Sequence, residues 1–164
     1  MLANIHRKAG CLLLLAFAMQ CAGAGAPPGL REALAEFETG TTSPAVSEGD
    51  YAIGRAKEVS RFQILPKVWH EYSASRAYHN PDTAWTVAVK ILNEREETFR
   101  KATNREWDSV DIYLMWNAPG LYERAKWDRA KVSRVVLTRA QRFANLMQEK
   151  ESRRVLVRDG SGQN

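Results

Sequence analysis

The 164-residue chain predicts a mainly α, single-domain fold with a small irregular or β-hairpin segment near residues 50–65. Three observations carry this. Apolar residues recur at helical spacing over most of the chain beyond residue 29. Asn, Asp, Pro and Gly stand where helices would start and stop. Only the stretch from Tyr51 to Phe62 lacks a periodic pattern of useful length.

Residues 1–24 read as a leader to be removed before any fold is considered. Arg7 and Lys8 precede a short apolar run from Cys11 to Met19, and small residues follow at Ala22-Gly23-Ala24. That is the pattern of a secretory signal peptide, and the run is shorter than the roughly 20 apolar residues that cross a bilayer. The protein is therefore expected to be exported, periplasmic or secreted. A lipoprotein anchored through Cys21 is the alternative, although Gln20 stands where such signals carry a small residue. Both cysteines fall inside the leader, so the remaining chain has no disulfide or thiol chemistry. Without Arg7 and Lys8, 22 of the 24 basic residues face 19 acids, a surplus of three. That excess does not argue for nucleic acid; it suits attraction to an anionic polymer or envelope surface.

Pro27-Pro28-Gly29 leads into a first helix with Leu30, Ala33, Leu34 and Phe37 on one face and Gly40 as its stop. Glu38 falls beside Leu34 at the edge of that stripe. It also sits in the last turn, where the helix dipole disfavours an ionised carboxylate. Partial burial and dipole both push such a group toward the protonated form, which suits a general acid. An isolated Glu at a helix end is otherwise a solvated charge.

Residues 41–50 read as a polar loop. Pro66 opens a short helix with Val68, Trp69 and Tyr72. Asn80-Pro81 is a cap followed by a first-turn proline, and Ala84, Trp85, Ala88, Ile91, Leu92 and Phe99 then form a core stripe. Asp108 caps the next helix, with Ile112, Tyr113 and Trp116, which breaks at Pro119-Gly120. The last helix is expected from about residue 130 to 150, with Val132, Val135, Val136, Ala140, Phe143, Leu146 and Met147 inward. Arg139 lies within that stripe, either snorkelling its head outward or reaching a carboxylate or ligand. The domain thus spans residues 25–150, and 151–164 read as a polar, mobile tail.

Metal and nucleophilic chemistry find little support. His70 and His79 lack an acid at ligand spacing, no serine has a base held by an orienting acid, and no Gly-rich phosphate loop occurs. No cofactor and no metal are expected. Carboxylate chemistry remains, with tryptophans and tyrosines as stacking surfaces for sugar rings.

Four landmarks in order carry a family resemblance: Glu38-Thr39-Gly40, Phe62-Gln63-Ile64-Leu65-Pro66, Asn80-Pro81 with its Ala-rich helix, and Met115-Trp116-Asn117-Ala118-Pro119-Gly120. From about Leu30 to Phe143 the chain resembles the soluble lytic transglycosylases, whose lysozyme-like α fold is shared with goose-type lysozymes. The resemblance implies cleavage of the β-1,4 bond between N-acetylmuramic acid and N-acetylglucosamine in peptidoglycan glycan strands. It implies Glu38 as the sole acid/base. Thr39, Ser60, Phe62, Gln63, Tyr113, Trp116 and Asn117 would then be the substrate-binding residues. Ser60-Arg61-Phe62 stands where the family has Gly-Leu-Met. Trp116 stands where it has a tyrosine whose hydroxyl contacts the catalytic Glu, with Tyr113 one turn earlier. Asp50, or failing it Glu48 or Glu58, is a candidate second carboxylate; a separation of roughly 6.5–9.5 Å from Glu38 would give inverting hydrolysis of lysozyme or chitinase type. A non-catalytic glycan-binding relative is the third expectation.

Overall fold

The computed structural model describes residues 26–160. The leader, Cys11 and Cys21 lie outside these residues, as do the last four residues of the tail. Among the described residues the protein is mainly helical: α1 (Leu30–Thr39), α2 (Pro66–Tyr72), α3 (Pro81–Thr103), α4 (Ser109–Asn117), α5 (Pro119–Arg124) and α6 (Arg134–Gly160). Single 3-10 turns cover Glu48–Tyr51 and Arg129–Lys131. No described helix is long and apolar enough to cross a membrane.

The caps act where the local sequence places them. Asn80 accepts hydrogen bonds from the N–H groups of Asp82 and Thr83, with Pro81 in the first turn. Asp108 accepts from Val110 and Asp111 N–H, and Asp111 answers on the Asp108 N–H. Gly40 ends α1 at φ 73°, a conformation open to glycine at little cost.

The centre of the molecule is α4, which packs against α3, α5 and α6, while α1 lies on α6 and α2 on α3. Every residue from Val110 to Trp116 is buried. A helix wrapped on all sides needs apolar residues on all sides, and Val-Asp-Ile-Tyr-Leu-Met-Trp supplies them with one exception. Asp111 is fully enclosed. Its carboxylate accepts from Arg105 Nη1 (2.6 Å), the Tyr122 hydroxyl (2.6 Å) and Arg129 Nε (3.1 Å). A charge in that position is tolerated because its lone pairs are filled by charged and polar donors.

Within residues 50–65 a tight turn at 59–64 is held by one antiparallel bridge, Val59 to Ile64, with both backbone hydrogen bonds at 2.9 Å. Ser60 (φ 65°) and Gln63 (φ 50°) both occupy the left-handed region there. Arg61, inside that turn, is buried. Its Nε and Nη2 grip the two oxygens of Asp50 at 2.6 Å each, while Nη1 and Nη2 donate to the carbonyls of Ser43 and Ala45. This clamp fixes the 41–50 loop to the turn.

The last helix departs from expectation at both ends. A separate turn at Arg129–Lys131, capped by Asp128 on the Ala130 N–H, absorbs its expected start. Val132 is buried outside the helix and Val135 is 80% exposed. The inward face runs instead through Val136, Ala140, Phe143 and Met147. Helix α6 continues past Lys150 to Gly160, and its Lys150 and Arg154 pair with Glu36 and Glu32 of α1.

Candidate active site

One cleft of about 310 Å³ gathers side chains from nearly every element. Helix α1 contributes Glu38, and the segment before the turn contributes Arg55 and Glu58. The turn supplies Gln63, Ile64 and Leu65, and α2 supplies Val68. Helix α3 adds Ile91 and Arg95, α4 adds Trp116 and Asn117, and α6 adds Arg139.

Glu38 is the best-held group in it. Its side chain is 7% exposed. The Tyr113 hydroxyl donates to Oε1 at 2.8 Å and Arg139 Nη2 donates to Oε2 at 3.0 Å. Arg139 Nε also donates to the Tyr113 oxygen at 2.7 Å, closing a ring of three side chains from α1, α4 and α6. Phe37 and Phe143 pack edge-on and stacked against the Tyr113 ring, which fixes its direction.

Burial raises the Glu38 pKa above its ordinary value, against the lowering effects of the Tyr113 hydrogen bond and the Arg139 charge; Glu58 adds a further rise. The Tyr113 phenol is also pushed up, first by burial and then by the Glu38 charge, so it stays a neutral donor. For Arg139, burial disfavours the charge, but Tyr113 and Glu38 together favour it. A carboxyl able to hold a proton above its usual range, with fixed donors on both oxygens, suits a group that gives and retakes a proton.

Of the expected substrate-binding residues, Gln63, Trp116 and Asn117 line the cleft, and Tyr113 contacts Glu38 directly. Tyr113 thus makes the hydroxyl contact that Trp116 cannot. Trp116 lies in the cleft with the Arg95 guanidinium 5.6 Å from its ring centre. Three others lie behind the cleft, which corrects the expectation. Phe62 is fully buried against Trp85. Ser60 is buried, its oxygen accepting from Phe62 N–H at 3.3 Å. Thr39 Oγ1 lies 3.0 Å from the Ala35 carbonyl, 2.8 Å from Thr41 Oγ1 and 3.3 Å from the Arg61 carbonyl. Thr39 ties the end of α1 to the turn and so holds Glu38 from behind.

Asp50 is corrected for a different reason. Both its oxygens are engaged by Arg61, and Ser47 N–H donates to it as well. Burial raises its pKa, but these partners together hold it below the ordinary carboxylate range. It lines no part of the cleft. Glu58 does, and its carboxylate accepts from Ala56 N–H at 2.8 Å. Room for it comes from Gly54: a Cβ there would lie 2.2 Å from Glu58 Oε2 and 2.3 Å from Gln63 Oε1. Among the described residues no three His, Cys, Asp or Glu side chains gather as a metal site.

Arg95 and Arg55 escaped the sequence reading. The signal for Arg95 was present: one turn beyond Ile91 and Leu92, it adjoins the core stripe of α3. Arg139 was the interrupted stripe of α6, and it reaches a carboxylate.

The chain matches no family model, no curated protein and no solved structure.

Proposed function

We propose that the protein is exported and cleaves an amino-sugar glycan with Glu38 as acid/base, in the manner of a lytic transglycosylase acting on peptidoglycan strands through a lysozyme-like fold. The observation that carries this is Glu38: nearly buried, raised in pKa, held on both oxygens and placed in a cleft with Trp116, Gln63 and Asn117. Protonated Glu38 gives its proton to the glycosidic oxygen as the bond from C1 to that oxygen breaks. The substrate's own acetamido group stabilises the positive centre at C1, the substrate-assisted variant of glycoside cleavage. Ionised Glu38 then takes the proton of the muramyl 6-hydroxyl, whose oxygen bonds to C1 and closes a 1,6-anhydro ring. No water is consumed. Arg139 and Tyr113 stabilise Glu38 while it is ionised between the two transfers.

Glu58 supports a second reading, because it shares the cleft with Glu38. In that mechanism Glu58 holds a water and the product has a reducing end.

Digestion of sacculi by the purified protein separates the two. Mass spectrometry is expected to find 1,6-anhydromuramyl ends, and Glu38→Gln is expected to lower their yield at least ~100-fold. Reducing ends that vanish in Glu58→Gln favour hydrolysis. Binding without cleavage, indifferent to Glu38→Gln, leaves only the glycan-binding relative.

A further inference from the structure

Arg95 stands apart from every other cation of the cleft. Arg139 is paired with Glu38, and Arg55 is exposed. Arg95 is half-buried and forms no ion pair among the described residues. Its Nη1 donates to the Met115 and Trp116 carbonyls at 2.7 and 2.8 Å, at the end of α4. That uses two of five N–H groups. The Nε and Nη2 hydrogens have no partner among the described residues. No buried side-chain nitrogen or oxygen among the described residues is without one, so these donors are accessible, and Arg95 is a lining residue of the cleft.

Glu94 and Glu71 favour the Arg95 charge without forming an ion pair with it. Glu94 accepts the Tyr72 hydroxyl at 2.7 Å and makes no ion pair with Arg95. Burial lowers the Arg95 pKa and outweighs Tyr72, Glu94 and Glu71, which all favour the charged form. The cleft as a whole carries three arginines against two glutamates, and when Glu38 is protonated the imbalance grows. The free edge of a guanidinium presents its donors in a fork matched to a carboxylate. The carbonyl bonds through Nη1 hold that fork in place over the Trp116 ring, which lines the same cleft.

We propose that Arg95 is the specificity residue of the cleft, recognising a carboxylate carried by the saccharide and so selecting acidic glycans over neutral ones such as chitin. The inference rests on the glycan-cleavage reading. Two sources of that carboxylate exist on a muramic-type strand: the lactyl ether group once the peptide is removed, and the peptide stem itself.

Binding is measured in the Glu38→Gln background, which keeps ligand intact and does not depend on turnover. Three strands of equal length are compared: peptide-free muramyl glycan, the same glycan bearing its peptides, and chitooligosaccharide. Isothermal titration is expected to show carboxylate-bearing strands binding about tenfold or more tighter than chitooligosaccharide. Arg95→Gln is expected to erase that preference and Arg95→Lys to keep part of it. Arg142→Gln, which removes a charge outside the cleft, is expected to leave it. A preference for the peptide-free glycan identifies the lactyl carboxylate; one confined to the peptide-bearing strand identifies the stem. Equal binding of all three strands by the otherwise unaltered Glu38→Gln protein overturns the proposal without use of any Arg95 variant. So does a preference that survives Arg95→Gln. Failure of cleavage by the native protein, with the preference intact, sinks the enzymatic reading and leaves Arg95 as a binding determinant.

Discussion

Glu38 receives a donor on each oxygen, yet burial outweighs both and its proton is held more tightly than usual. The balance predicts what removing one donor does. Tyr113→Phe deletes the hydroxyl that favours the ionised form, a bond to a charged group worth about 1.5–3 kcal/mol. The Glu38 pKa should rise further. The limb of the pH–rate profile that falls as Glu38 ionises is then expected to move to higher pH; an unmoved or lowered limb contradicts the assignment. The same raised pKa has a cost in stability. Below the ordinary value of 4.5 both folded and unfolded states are protonated and nothing is lost. As pH rises past 4.5 the unfolded chain releases its proton first, so the folded state becomes relatively less stable through the raised pKa. Glu38→Gln removes this effect. Its urea midpoint relative to the native protein should climb between pH 4.5 and neutrality, and a flat difference refutes the shift.

The turn at residues 59–64 shows what local sequence conveys and what it does not. A break in the helical pattern near residues 50–65 was legible from the missing periodicity, and the helix starts at Asn80-Pro81 and Asp108 were legible because a cap is a contact between near neighbours. Gly40 was legible for the same reason. The inward face of α6 was not, since Val135 and Val136 are equally apolar and only the path out of the Arg129–Lys131 turn decides between them. Nor was the fate of Asp50 or Phe62. Arg61 meets Asp50 across 11 residues of loop, and a groove residue and a core residue look alike in a single sequence. The turn also carries strain of its own. Ser60 sits at φ 65°, where a side chain costs about 1 kcal/mol that glycine avoids. Ser60→Gly relieves that strain but removes the oxygen that accepts from the buried Phe62 N–H, a loss of about 1–3 kcal/mol, so the urea midpoint is expected to fall; a raised midpoint shows that the strain outweighs the bond.

Across the whole molecule, stability leans on two enclosed carboxylates. Asp111 joins α4 to Arg105, Tyr122 and Arg129, and Asp50 joins the 41–50 loop to Arg61. Burial raises the pKa of each, but the arginine and hydroxyl donors win and both are lowered from 3.8. Their contribution is therefore complete above pH 3.8 and is lost as pH falls through the depressed folded values. Asp111→Asn strips the negative charge from between two arginines and is expected to cost about 3 kcal/mol at neutral pH. Its unfolding free energy should also fall less steeply than that of the native protein in the acid range. An unchanged acid slope assigns the sensitivity elsewhere.

Glu38 and Arg139 stand 101 residues apart in the chain, and Tyr113 lies 75 from Glu38. Their meeting closes most of the polypeptide into one loop, and a contact of that span forms late, because the entropy of closure is spent before the contact contributes anything. Glu38, the proposed acid/base, therefore has no assembled environment in a chain that is threading, newly released or partly refolded. On the proposed function, activity is the last property the chain regains. During refolding from urea, helical signal should return before cleavage activity, and the interval between them measures how long α6 takes to reach α1.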